Sequence, residues 1–266
     1  MSLDDLELAQ LEHENMIAAE GFLASLSPFS FVTRIDGVAL LATGLPVTSL
    51  NQVIVESDMA TASSLSAAVT SLRQRELPFI VNLRLGTDDR FVPLMSELGL
   101  APVTEGRWVP GMTLNPIPTG PTPVLADYEI VEVSDADGLE DFMQALMAGF
   151  QIPEELTRAM LTPSVLERDE AVFYAGYANR KPVSTGVGLR TGRTVGAYNI
   201  STVPDARRRG YGEAMTRRIA ADGALAGCDV GALQASRMGL PLYEQLGYRT
   251  VVQYLAYVEP EAPTTT

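Results

Sequence analysis

Between Arg207 and Gly212 the chain reads R-x-x-G-x-G, inside the run TVGAYNISTVPDARRRGYGEAM from Thr194 to Met215. A glycine puts no side chain between a ligand and the backbone. Gly210 and Gly212 therefore let the unpaired N–H groups of a helix's first turn point directly at phosphate oxygens. Those amides and the positive end of the helix dipole favour an anion by about 0.3–1 kcal/mol, and by roughly 2 kcal/mol when partly buried. Arg207, Arg208 and Arg209 add charge-assisted donors. Residue types and spacing together predict a pyrophosphate site. Two other phosphate loops do not fit: G-x-x-x-x-G-K-[ST] needs a lysine, and Lys181 is the only one in the chain; G-x-G-x-x-G fails because Met215 follows where a third glycine is required.

Such a turn must be held between a strand and a helix. Val195, Tyr198, Ile200 and Val203 are strand-forming residues, and Pro204 and Asp205 close the strand. Helical spacing starts near Arg209 and carries Met215 and Ile219 on one face. The predicted order is strand, turn, helix.

With Thr202-Val203-Pro204 leading into Arg207–Gly212, the segment resembles the central [QR]-x-x-G-x-[GA] motif of the GNAT superfamily of acetyl-CoA-dependent N-acetyltransferases. About thirty residues on, PLYEQLGY (Pro241–Tyr248) follows the short strand pattern Val230–Ala235 and is similar to that family's second signature, L-Y-x-x-L-G-[FY]. The resemblance covers roughly residues 125 to 259. It implies acetyl-CoA as acyl donor, held by Thr202, Val203, Arg207, Arg208, Arg209, Gly210, Tyr211, Gly212 and Glu213. It also implies Tyr243 as the acid that protonates the departing thiolate, and a backbone N–H at Val203, or its neighbour Thr202, as the group that polarises the thioester carbonyl. Ser236 and Arg237 stand where the family often has an asparagine touching the donor, and this sequence has none there. Arg217 and Arg218 are expected on the solvated face of the helix.

Composition bounds the partners. The chain has 266 residues, 46% of them hydrophobic, and a net charge of −14, enough to bury cores and too acidic for nucleic acid or an anionic membrane as main partner. No apolar stretch is long enough to span a bilayer, and the acidic amino terminus is unlike a secretion signal. A single cysteine, Cys228, fits a reducing compartment, so the cytoplasm is expected. Five of the nineteen basic residues fall between Arg207 and Arg218, which suits one small polyanionic ligand.

The fold class expected is α/β (α+β), with two GNAT-like domains, each a mixed, mostly antiparallel sheet flanked by helices. Residues 3–26 read as an amphipathic helix bearing Leu6, Leu8, Leu11, Met16, Ile17 and Phe22, with His13 on its polar part. Strands flank a turn at Asp36-Gly37. A helix near Ala60–Arg75, a strand at Phe79–Leu85, a helix at Arg90–Leu98 and a strand near Val103–Leu114 complete the first half. Asn115–Pro123, with four prolines, reads as a linker. It separates a domain at 1–120 from one at 125–266. PLMSELGL at Pro93–Leu100 lies 148 residues before PLYEQLGY, so the halves look like one fold used twice. Met95 takes the place of Tyr243, and SDMATASSL after the first half's strand at Gln52–Glu56 has no glycine turn and places acid where phosphates would sit. The first domain is therefore a degenerate copy that shapes or covers the acceptor site.

The implied reaction is direct attack of a primary amine on the thioester of acetyl-CoA. The acceptor is left open among small amines, antibiotics, amino acids and protein termini. Glu170, Tyr198, Asn199 and Ser201 are candidates for a general base. One histidine excludes a histidine-based site and no metal is needed; Cys228 reads as a small buried residue. The alternative is a non-catalytic acyl-CoA-binding or sensing module, which keeps Arg207–Gly212 without requiring Tyr243. Monomer and homodimer are both compatible with a duplicated chain.

Overall fold

The computed structural model describes residues 3–103, 109–120 and 125–260. Its elements run in the order α1 (Asp5–Ser25), β1 (Phe31–Ile35), β2 (Val38–Ala42), β3 (Asn51–Val55), α2 (Ala62–Arg73), β4 (Ile80–Arg84), α3 (Val92–Glu97), β5 (Ala101–Pro102) and β6 (Val109–Leu114). They continue with β7 (Tyr128–Glu132), α4 (Ala136–Phe150), α5 (Glu154–Met160), β8 (Ala171–Ala178), β9 (Lys181–Thr191), β10 (Thr194–Thr202), α6 (Tyr211–Leu225), β11 (Val230–Gln234), α7 (Leu240–Gln245) and β12 (Arg249–Val258). The expected α/β class holds. Among the described residues no helix is long and apolar enough to cross a membrane.

Two compact units emerge, and neither is a continuous stretch of sequence. One comprises Met1–Ala19 and Met112–Val251; the other comprises Glu20–Gly111 and Val252–Thr266. The expected halves, 1–120 and 125–266, were each continuous. The start of the proposed linker is docked: Ile117 is buried in the core around Met215 and Ile219, its N–H reaches Asp229 O at 3.3 Å, and Asn115 Nδ2 reaches the same oxygen at 2.9 Å. Residues 121–123 of that linker, and 104–108 of the strand expected near Val103–Leu114, lie outside the described residues.

In the unit built on Glu20–Gly111, β1, β2 and β3 pair antiparallel, β3 and β4 pair parallel, and β12 pairs antiparallel with β4 through Tyr254↔Arg84 to Tyr257↔Val81. The β1–β2 turn is the expected Asp36-Gly37, with φ of 39° and 79°, the twist a two-residue hairpin demands. Leu65, Val69 and Leu72 of α2 close over Val53, Val81 and Leu83; each such burial is worth about 1.5–3 kcal/mol.

The other unit repeats the plan in the order β6-β11-β10-β9-β8-β7. Strands β7 to β10 are antiparallel, and β10 and β11 are parallel, joined by α6 as crossover. Val195 and Ala197 of β10 pack against Met215, Ile219 and Ala220 of α6. The opposite face receives α4, whose Phe142 meets Phe173 edge-on at 5.3 Å. Each unit thus takes its last strand from the far half of the sequence: β6 neighbours β11, and residues 252–258 of β12 lie beside β4.

Helix α1 is not amphipathic in the expected sense. Leu8, Met16, Ile17 and Phe22 are buried as expected, but Leu6 is 82% exposed, and Glu12, His13 and Asn15 are buried as well. His13 therefore does not lie on a solvated face. Polar residues can occupy a buried face when they find hydrogen-bond partners there, as Asn15 does with Tyr198 and Thr191.

Candidate functional site

Strands β10 and β11 are paired over only three positions, Thr194↔Val230 to Gly196↔Ala232. Both run on, to Thr202 and Gln234, so beyond Gly196 they part. A bulge on β10 between Tyr198 and Ser201, with Asn199 at φ 50°, shifts its register against β9 and bends the strand away. Past the bulge, Val203 N–H donates to Val183 O at 2.9 Å. The backbone donor of Val203 is thus committed to β9, contrary to its expected role at the carbonyl. Antiparallel alternation turns the N–H of the preceding residue, Thr202, away from β9 and toward the gap.

The turn after β10 is held by Arg207. Its Nε donates to Thr202 O at 3.0 Å and its Nη2 to Gly149 O, at the end of α4, at 2.8 Å. This guanidinium, expected on a phosphate, stays exposed and ties β10 to α4 while leaving its charge beside the turn. Arg208 sits at φ 61°, and among the described residues its side chain has no hydrogen bond or ion pair. Arg209 reaches Asp205 O at 3.3 Å. Gly210 adopts φ 84°, ψ 1° as the residue before α6 and offers no side-chain cap. The first helical amide to find an acceptor is Ala214 N–H, on Gly210 O at 3.0 Å. The amides of Tyr211, Gly212 and Glu213 have no backbone acceptor among the described residues, as the geometry of a helix start requires.

Among the described residues, a side-chain carbon added at either glycine would meet only ordinary contacts. A Cβ on Gly210 would meet only Leu125, at 3.7 Å, and one on Gly212 would meet Leu242 Cδ2 at 3.7 Å and Thr202 Oγ1 at 4.0 Å. Tyr211 contributes its backbone alone: its ring stacks on Tyr128 at 4.3 Å and its hydroxyl reaches Asp127 at 3.2 Å. The side chain of Glu213 turns back to Arg217 at 3.0 Å, and Arg218 pairs with Asp222 at 2.7 Å. Further along α6, Thr216 and Ala220 line a cavity of about 110 Å³ together with Leu114, Ile117, Leu246 and Tyr248.

The corresponding helix of the other unit is built differently. α2 opens on a capping box: Thr61 Oγ1 accepts from Ser64 N–H at 3.0 Å, and Ser64 Oγ accepts from Thr61 N–H at 2.9 Å. Its end amides are served by its own side chains, and Met95 is fully buried in the core.

Tyr243 stands on α7, its ring among Leu233, Ala235, Leu246 and Tyr248, the last at 6.1 Å. Desolvation by burial raises its pKa above the ordinary phenol value. Among the described residues the hydroxyl has no hydrogen-bond partner, yet it is not sealed from solvent. It is a protonated donor that no described residue receives. Ser236 serves the turn into α7, accepting from Gly239 N–H at 3.1 Å, and Arg237 is exposed. Of the base candidates, Glu170 is paired with Arg168, Ser201 accepts from Thr185 Oγ1 at 3.2 Å, Tyr198 donates to Asn15 at 2.6 Å, and Asn199 is the exposed bulge residue. Among the described residues no three histidine, cysteine or acidic side chains are grouped to hold a metal ion.

The helix start expected near Arg209 lies at Tyr211, and Tyr243 is on the expected short helix. Sequence reasoning missed Gly149, whose carbonyl anchors Arg207 and at which a Cβ would fall 2.2 Å from Ser201 Oγ, and the α1 polar face. Neither carries a local motif.

A family model of the acetyltransferase (GNAT) domain matches residues 126–233. No curated protein gives a significant sequence match. Among solved structures, a GCN5-related N-acetyltransferase from Kribbella flavida superposes with a TM-score of 0.69 at 14% identity, covering 96% of this chain and 97% of that one. One from Sphaerobacter thermophilus gives 0.61 at 15% identity over 94% and 92%. A tandem GNAT protein from the clavulanic acid biosynthesis pathway gives 0.60 at 13% identity over 97% of each chain. Residues 126–233 thus match the acetyltransferase (GNAT) domain model, in a chain that shares the fold of GCN5-related N-acetyltransferases, a tandem GNAT protein among them.

Proposed function

We propose that the chain transfers an acetyl group from acetyl-CoA to a primary amine by direct attack. The observation that carries this reading is the uncapped start of α6: three open amides, a positive-φ glycine and unfilled space, next to two strands that part. The amides of Tyr211, Gly212 and Glu213 would receive the diphosphate, with Arg208 and Arg209 adding charge at its rim.

In the parted region the thioester carbonyl would lie against Thr202 N–H, the donor that alternation directs there, so charge developing on that oxygen meets a fixed dipole. The amine nitrogen forms its bond to the carbonyl carbon, the C–S bond breaks, and Tyr243 Oη gives its proton to the departing sulfur. The proton lost by nitrogen passes to solvent. Burial keeps Tyr243 protonated in neutral solution, the state a donor needs. The capped α2 and buried Met95 support the reading of the other unit as a copy without donor chemistry.

Calorimetry with acetyl-CoA and free CoA, followed by thiol release with a panel of primary amines, tests the proposal. Binding of both ligands and amine-dependent thiol release are expected. Absence of acetyl-CoA binding would end it.

A further inference from the structure

Glu12, His13 and Asn15 are buried on α1 although polar, and burial of such groups is costly unless they are hydrogen-bonded. Their bonds say where the helix lies. Asn15 Nδ2 donates to Thr191 Oγ1 at 2.8 Å and Leu189 O at 3.2 Å on β9, and Asn15 Oδ1 accepts from Tyr198 Oη at 2.6 Å on β10. Glu12 Oε1 accepts from Gln234 Nε2 at 2.5 Å on β11. Val195 and Ala197 face α6, so α1, which meets Gly196 and Tyr198, crosses the opposite face of the sheet.

The level of that crossing is where β10 and β11 separate. The last paired position is Gly196↔Ala232. Tyr198 and Gln234 are the next residues on the same face of each strand. Gln234 is half-buried, and its Nε2 is taken by Glu12. Among the described residues its Oε1 has no partner, and that oxygen is not sealed from solvent. With Nε2 donating to Glu12 Oε1, the nitrogen end of the Gln234 amide is turned toward Glu12 and the oxygen end away from it. That oxygen belongs to the first same-face residue of β11 past the last position paired with β10.

The geometry points to Gln234 as the residue that recognises the acceptor: Oε1 accepts a hydrogen bond from an N–H of a primary amine standing at the parted strands. Glu12 is a positioning residue that holds the amide with this end outward. The inference rests on the amine-transfer reading above and adds where the nitrogen sits, on the α1 face, opposite the helix whose amides would take the diphosphate. Engaging one N–H there fixes the nitrogen while leaving its lone pair free to attack.

The test uses the full chain, acetyl-CoA, and benzylamine, ethanolamine, spermidine and glycinamide as acceptors, read as thiol release. Gln234→Met keeps length and volume and removes the oxygen. It is expected to raise the amine KM about tenfold, the worth of one hydrogen bond, with kcat changed less and acetyl-CoA affinity by calorimetry unchanged. Glu12→Gln is expected to raise the amine KM in the wild-type background and to add nothing in the Gln234→Met background, because its effect passes through that amide. An amine KM within twofold of wild type for Gln234→Met overturns the inference, as does an additive effect of Glu12→Gln. Should Glu12→Gln not fold, Gln234→Met decides alone. If the wild-type chain binds acetyl-CoA and releases no thiol with any of the four amines, the amine-transfer reading falls and this inference with it, an outcome distinct from an unchanged KM.

Discussion

Replacing Gly212 by glutamate separates binding from folding, because the two are expected to move in opposite directions. Gly212 lies within the first turn of α6 with no positive φ, and its Cβ would make only ordinary contacts with Leu242 and Thr202. The free protein therefore loses nothing sterically. It gains about 0.5–1 kcal/mol from removing a helical glycine and a further 0.3–1 kcal/mol from a carboxylate near the positive end of the helix. A bound diphosphate would then meet a like charge roughly 5 Å away, which costs about 3 kcal/mol per charge pair at an effective dielectric of 20. That is a loss of at least about a hundredfold in affinity. Calorimetry with acetyl-CoA, run beside thermal unfolding, reads both quantities, and Gly212→Ala serves as the uncharged control. A more stable protein that no longer binds acetyl-CoA is the expected pattern. If Gly212→Glu is stable and binds acetyl-CoA within threefold of wild type, the helix start is not where the phosphates go.

Tyr243→Phe should leave acetyl-CoA affinity unchanged and lower kcat for amine-dependent thiol release by about 10²–10⁴-fold; unaltered turnover would remove the tyrosine from the chemistry. Arg207→Lys keeps the charge but cannot bond Thr202 O and Gly149 O together; a stability loss of about 1–2 kcal/mol with weaker acetyl-CoA binding is expected in urea titrations and calorimetry. Glu20, hydrogen-bonded to Gln52, has its carboxyl raised to about 7 from 4.5, first by desolvation. A raised acid favours the folded state while protonated, so its contribution is full below about pH 4.5 and fades as pH climbs through 7. Urea midpoints measured from pH 4 to 8 should fall over that window, and Glu20→Gln should flatten the decline.

The parts of the site legible in the sequence are those specified within a few residues. An uncapped, open helix start needs glycines at fixed offsets, so Gly210 and Gly212 announce it, and the echo of PLYEQLGY in PLMSELGL reveals the duplication. What escaped reading depends on partners far along the chain. Hydropathy registers Glu12 and Asn15 as surface residues because nothing near them shows that Gln234 and Tyr198 will receive them. Val203 and Thr202 differ by one place, yet which of them faces the gap is decided by the bulge at Asn199, and a strand pattern does not count bulges. Arg207 reads as a phosphate ligand because its charge is local information, while the carbonyl of Gly149 that holds it is not.

Strand β12 is the last element of the chain, and its residues 252–258 complete the unit whose other members lie before residue 112. During synthesis the strands of Glu20–Gly111 must therefore wait, with the flank of β4 bare, until residues 252–258 have been made. A bare strand flank is a template for other chains. The unit of Glu20–Gly111 is complete only after residues 112–251 of the other have been made, and losing residues 252–258 would injure a unit whose other strands precede residue 112.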